Sequence, residues 1–214
     1  MMSYSIKIIR KDDPKTTEWS GGSTTQLAIY PENAEYERRN FRWRISKATM
    51  KAENSLFTNL PGYWRLLMAT DGEFTLEHLG MHRAALQPFE QDSFSGDWTT
   101  NCFGKGDDLN VMLAPGCKGE LKAVMIVDYV DEILGYNNDN RDTETYECVY
   151  VNDGDVKLSI DGQVLTHLNQ GDLLIYKNQK VEHQVKFSYI NLNRHISKEV
   201  NVIRITIHQE INEE

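Results

Sequence analysis

The sequence predicts an all-β fold arranged as two successive β-barrels, and three observations carry this reading. Short segments rich in β-formers alternate apolar and polar residues with the two-residue period of a strand. Glycine turns separate these segments, and no long stretch sustains a helical period. Finally, the chain repeats itself. MATDGEFTLEHLGMHRAAL (68–86) lies over YVNDGDVKLSIDGQVLTHL (150–168) without a gap, at an offset of 82 residues. Asp71-Gly72 falls on Asp153-Gly154, Leu76 on Leu158, Gly80 on Gly162 and Leu86 on Leu168. An Asp-Gly pair tolerates positive φ and favours a two-residue hairpin. Each copy therefore reads strand, Asp-Gly turn, strand, Gly turn, strand, and two turns with two leucines in register favour duplication over chance.

Along the chain, the first clear strand is STTQLAIY (23–30), where Leu27 and Ile29 alternate with Thr24, Gln26 and Ala28. FRWRIS (41–46) places Phe41, Trp43 and Ile45 on one face and Arg42, Arg44 and Ser46 on the other. WRLLMA (64–69), LKAVMIV (121–127), GDLLIY (171–176) and VNVIRITI (200–207) follow as strands. The polar stretch GYNNDNRDTET (135–145) reads as a linker. The expected organisation is a first barrel over 1–134, the linker over 135–145, and a second barrel over 146–214. The second barrel is expected to be structural, with Val149, Leu158, Leu173, Ile175, Ile203 and Ile205 pointing inward.

With 32 acidic and 23 basic residues among 214, the chain is a poor candidate for non-specific nucleic-acid binding, which needs phosphate neutralisation. MMSYSIKIIRKDD lacks the apolar core of a signal peptide, and no apolar run reaches membrane-spanning length. Cys102, Cys117 and Cys148 fall outside any CxxC spacing, which suits a reducing compartment. The expected location is cytoplasmic.

Several motifs resemble the HutD/Ves family: WSGGSTTQL (19–27), FRWRISKA (41–48), FTNLPGYWR (57–65), FSGDW (94–98) and DDLNVM (107–112). They occur in the family's order, and the second half of the chain matches more loosely. The resemblance implies two cupin-like (RmlC-like jelly-roll) barrels and an association with histidine utilisation. It also implies a small carboxylate ligand, such as urocanate or a formylated or formiminated glutamate. One departure matters chemically: many members resemble W-x-N-G-G-G-x-T-x-E, whereas Gln26 stands here in place of the glutamate.

Metal chemistry finds little support in the sequence. Many cupins use an H-x-H set, and none of His78, His82, His167, His183, His195 and His208 forms one. His183 falls near a late cupin ligand position without upstream partners, and the repeat sets His78 and His82 across a hairpin turn. The reading is therefore no metal and no cofactor. No serine lies in a nucleophile-elbow sequence, and Cys148 reads as a small apolar residue inside a strand.

The arginines remain. Arg44 and Arg65 sit in the family-like motifs, and neither can be buried without a partner, since a lone desolvated charge costs several kcal/mol. For Arg44 two readings stand equally: a salt bridge to Asp97, Asp107 or Asp108, or a bound anion. Arg65 is expected to be the principal anion contact, because a planar fork of donors suits a carboxylate. Trp19, Thr24, Gln26, Ser46 and Asn110 complete the candidate ligand-binding set. The lead reading is a regulatory protein that binds a small anionic metabolite, with a homodimer left open. The competing readings are a metal-independent isomerase or hydrolase acting on a small acid, and a surface for a protein partner.

Overall fold

The computed structural model describes residues 4–134, 143–178 and 184–211. Its regular structure is strand throughout, apart from one 3-10 turn at Arg194–Ile196. No helix among the described residues is long and apolar enough to cross a membrane.

Strand β1 (Tyr4–Ile9) is followed by β2 (Thr16–Trp19), β3 (Gly22–Tyr30), β4 (Trp43–Met50) and β5 (Asn54–Leu56). Then come β6 (Trp64–His78), β7 (Arg83–Leu86), β8 (Gln91–Ser95) and β9 (Thr100–Leu113). The remainder is β10 (Cys117–Ile126), β11 (Tyr129–Leu134), β12 (Thr143–Asp153), β13 (Val156–Ile160), β14 (Gln163–Leu168), β15 (Leu173–Asn178), β16 (Val185–Asn191) and β17 (Val200–Glu210). Two compact units result, one of residues 12–119 and one of residues 1–11 with 120–214.

These boundaries differ from those expected, because strand pairing decides membership. β1 pairs with β15, β10 neighbours β17 and β11 pairs with β16, so all three join the carboxyl-terminal unit rather than a barrel over 1–134. Of the expected linker, residues 143–145 already belong to β12, and the rest lies outside the described residues.

In the amino-terminal unit one sheet runs β2-β3-β4-β9-β6-β7, with β5 paired to β9 and β8 to β6. The other unit holds a five-stranded sheet, β1-β15-β12-β17-β10, and a four-stranded one, β11-β16-β13-β14. The repeat survives as backbone conformation: φ is +69° at both Gly72 and Gly154, and +77° and +78° at Gly80 and Gly162. Its first turn, however, is no hairpin in either copy. Gly72 follows directly on a register shift of β6 against β9 between Ala69 and Asp71, a bulge within one continuous strand, and itself pairs with Gly106. A Cβ there would stand 2.5 Å from the Lys105 carbonyl oxygen, so the close approach requires glycine. Gly154 marks the passage from β12 to β13, which lie in different sheets. The two-residue hairpin is instead Asp161-Gly162, with both residues at positive φ as a type I′ turn demands.

Each unit has its own core. Met50, Phe57, Leu67, Phe74, Leu76, Phe94 and Cys102 cluster in the amino-terminal unit, beside a second group around Phe41, Leu60, Tyr63 and Met112. Val149, Val151, Leu158, Leu174, Phe187, Tyr189 and Val202 lead the core of the other. All six aliphatics expected to point inward there are buried, but they do not share a face. Val149 pairs with Leu174 and Arg204, whereas Leu173, Ile175, Ile203 and Ile205 lie on the opposite face of that sheet. A strand buried on both sides has no polar alternation to reveal which side faces the core. FRWRIS behaves the same way, since Trp43 and Ile45 are as deeply buried as Arg44 and Ser46.

Candidate functional site

Sheet register assembles the candidate site. Arg44 on β4 pairs with Met112 on β9, which pairs in turn with Arg65 on β6. One step along, Gln26 pairs with Ser46 and Ser46 with Asn110. Antiparallel partners and residues two apart share a face. Thr24, Gln26, Arg44, Ser46, Asn110 and Arg65 therefore lie on one face, with Asp108 two residues before Asn110. The two arginine backbones are separated by two strand spacings, about 10 Å.

Arg44 is buried among neutral partners. Its Nε donates to Gln26 Oε1 at 2.8 Å and its Nη1 to Ser46 Oγ at 3.1 Å, and the guanidinium lies 4.4 Å from the centre of the Tyr36 ring. Burial pulls its pKa below the usual arginine value. None of the three acids considered for a salt bridge takes it. Asp107 binds Lys47 at 2.8 Å, Asp97 accepts from Ser95 Oγ and the Gly62 amide, and Asp108 forms no ion pair with Arg44. The preceding Gln26 is the reason a neutral oxygen meets this guanidinium.

Arg65 is packed between Phe57 and Phe94, 4.9 and 5.0 Å from their ring centres. It is 6 % exposed, and its Nε has no hydrogen-bond partner among the described residues. Burial brings its pKa down to about 10; nearby Asp108 opposes that and Arg44 adds to it. Asp108, 1 % exposed, is pushed the other way, to about 7, by burial with Asp107 adding and Arg65 opposing. Asp108 Oδ1 and Asn110 Oδ1 are likewise buried without hydrogen-bond partners. One donor and two acceptors thus remain open on a face carrying two guanidiniums.

Trp19 and Thr24 stand apart from this group in their bonding. The Trp19 indole donates to Thr24 Oγ1 at 3.1 Å, and the ring packs on the core beside Gly21. The sequence reading missed the rings of Tyr36, Phe57 and Phe94, which come to the arginines only through the fold.

The carboxyl-terminal unit offers an internal comparison. Arg204-Ile205-Thr206 on β17 repeats the pattern of Arg44-Ile45-Ser46, and Arg204 Nη1 likewise bonds the hydroxyl two residues on, at 3.3 Å. Thr206 pairs in register with Glu147, whereas Ser46 pairs with Asn110. Arg204 accordingly meets protein carboxylates, Glu147 at 3.0 Å and Glu132 at 3.3 Å. Thr206 and Tyr189 donate to the same two acids. The interior expected to be aliphatic carries a neutralised charge cluster, foreshadowed in the sequence by the Arg-Ile-Thr echo.

The histidines also differ from expectation. The turn across which the repeat sets His78 and His82 brings their rings to 4.5 Å, and both approach Asp92. Among the described residues these three are the side chains able to hold a metal. His183 lies outside the described residues.

The sequence matches the HutD family over residues 11–190. No curated protein matches. Among solved structures, the conserved protein of unknown function PA5104 from Pseudomonas aeruginosa PAO1 is similar, with a TM-score of 0.78 at 20% identity over 95% of this chain and 98% of that one. HutD from Pseudomonas fluorescens SBW25, solved in a formate condition, gives 0.68 at 19% identity over 96% and 100%. The Lactobacillus farciminis oxalate decarboxylase formate complex gives 0.60 at 7% identity over 97% and 87%. These likenesses place the chain on a cupin-type all-β fold.

Proposed function

The chain belongs to the HutD family, and on that premise we propose that residues 12–119 bind a small carboxylate, with Arg65 as the principal contact. One observation carries the reading. Arg204 is ion-paired to its own glutamates, whereas Arg44 bonds a neutral amide and hydroxyl with Glu37 acting on it only through space, and Arg65 faces two rings and Asp108, whose pKa burial raises to about 7. A buried guanidinium without an anion is costly, and an incoming carboxylate supplies one. The open oxygens of Asp108 and Asn110 suit an N–H donor on the same molecule. Urocanate and formylated or formiminated glutamate carry both groups. Trp19 and Thr24 form the outer wall in this reading, and Gln26 and Ser46 hold Arg44 in place.

The repeat supports an arrangement of two cupin-like barrels, the second of them structural. We assign the protein a regulatory role in histidine utilisation, in the cytoplasm, with the metabolite rather than nucleic acid as its partner. That the similar oxalate decarboxylase structure is a formate complex supports a carboxylate on such a fold.

Calorimetric titration of the protein with these acids at pH 6 and pH 8 tests the reading. Asp108 is mostly neutral below its pKa of about 7 and ionised above it, where it repels the ligand and competes for Arg65. Affinity should therefore fall as pH rises from 6 to 8, and Asp108→Asn should flatten that dependence. Absence of binding by every acid at both pH values contradicts the proposal.

Asp108 also favours a second reading. A carboxyl group with a pKa of about 7 beside an anion-binding arginine is suited to general acid–base catalysis. NMR of each acid during prolonged incubation separates the two, since only an enzyme alters or isotopically exchanges its ligand.

A further inference from the structure

We propose that His78, His82 and Asp92 form a binding site for a divalent transition-metal ion of the zinc type. The site lies further along the same face of the sheet as Arg65, with the Phe94 ring packed against both Arg65 and His78, and it uses none of the residues assigned to the carboxylate. His78 ends β6, His82 precedes β7 and Asp92 lies on β8, and β7 and β8 each pair with a different stretch of β6. The chain between the histidines is a tight turn, closed by the His78 amide on the His82 carbonyl at 2.9 Å. Four residues apart is a ligand spacing on a helix, and here the closed turn rather than a helix brings the two imidazoles together.

Both imidazoles present Nε2 to the same carboxylate, His78 at 2.8 Å from Oδ2 and His82 at 3.0 Å from Oδ1. The candidate ligand atoms all lie within 4.8 Å of one another. In a tetrahedral zinc site with bonds of about 2.0–2.1 Å, neighbouring ligand atoms stand about 3.3 Å apart. The two imidazole–carboxylate distances fall a few tenths of an ångström short of that spacing, so those contacts would have to open slightly around an ion.

The surroundings already fix the ligands. His78 Nδ1 is bonded to Thr100 Oγ1 at 2.8 Å, the kind of contact that selects the tautomer with Nε2 free for a metal. The His78 ring packs 4.4 Å from Phe94 and 5.7 Å from Trp98, and His82 packs 5.8 Å from Trp98. The His78 side chain is fully buried, while that of His82 is 41% exposed, so an ion reaches the site from solvent. Two nitrogens and one carboxylate suit zinc or cobalt, whereas magnesium and calcium require more oxygen ligands. Three protein ligands leave a fourth position for water.

Titration of the full-length protein with zinc, and with cobalt as a spectroscopic probe, tests the site. One equivalent should bind, and the cobalt spectrum should report nitrogen and oxygen ligands. His82→Ala, at an exposed position, should weaken binding at least about 100-fold, and Asp92→Asn comparably. Thr100→Val should cost about 10-fold through the orientation of His78. Melting curves without metal show whether each variant is folded, and His82→Gln provides a second variant of similar size. No binding by the wild type, or equal binding by folded His82 and Asp92 variants, overturns the proposal.

Discussion

Replacing Arg65 with methionine should remove carboxylate binding while leaving the protein folded. Methionine keeps an unbranched apolar stem between Phe57 and Phe94, so the packing of these rings is largely retained. What disappears is the guanidinium. Hydrogen bonds to charged groups contribute about 1.5–3 kcal/mol each, so losing a bidentate pair should weaken binding on the order of 100-fold or more. Arg65→Lys should fall between, because lysine keeps the charge but not the planar fork. Ligand binding stabilises the folded state by mass action, so the acid-induced rise in melting temperature should vanish in Arg65→Met. A methionine variant that retains the full rise shows that the carboxylate binds elsewhere.

Arg204→Met should act in the opposite way, destabilising the fold without touching the carboxylate face. It leaves Glu147 and Glu132 buried and deprived of their shared cation, with Lys122 still bonded to Glu132 at 2.7 Å. Breaking a buried ion pair from one side costs about 3–5 kcal/mol. Adding Glu147→Gln should recover part of that loss, because it removes the stranded charge and keeps a side chain of the same size. Denaturant unfolding of the single and double variants measures the coupling. A single variant within about 1 kcal/mol of the wild type, the value of a surface ion pair, contradicts the assignment.

The strands are legible in the sequence because β-formers and turn residues recur locally, and the repeat because its glycines keep their backbone conformations. Which face of a doubly buried strand points inward is not legible, as Leu173 and Leu174 illustrate: both are fully buried and their side chains oppose one another. Unit membership is not legible either. β1 belongs with β15, nearly the whole chain away, and only long-range pairing reveals it. Of the candidate site, the arginines and their polar neighbours can be read from the motifs. The aromatic rings cannot, since Tyr36 and Phe94 have no periodic relation to the arginines they cover. The His78–Asp92 contact is hidden for a similar reason, because a turn rather than a motif brings the groups together.

The most direct test of the account is a crystal structure of the protein with the strongest-binding acid from the titrations. The account predicts the carboxylate bonded to the Arg65 guanidinium, with the ligand's N–H directed to Asp108 or Asn110. A ligand bound elsewhere, with Arg65 unchanged between Phe57 and Phe94, would contradict it.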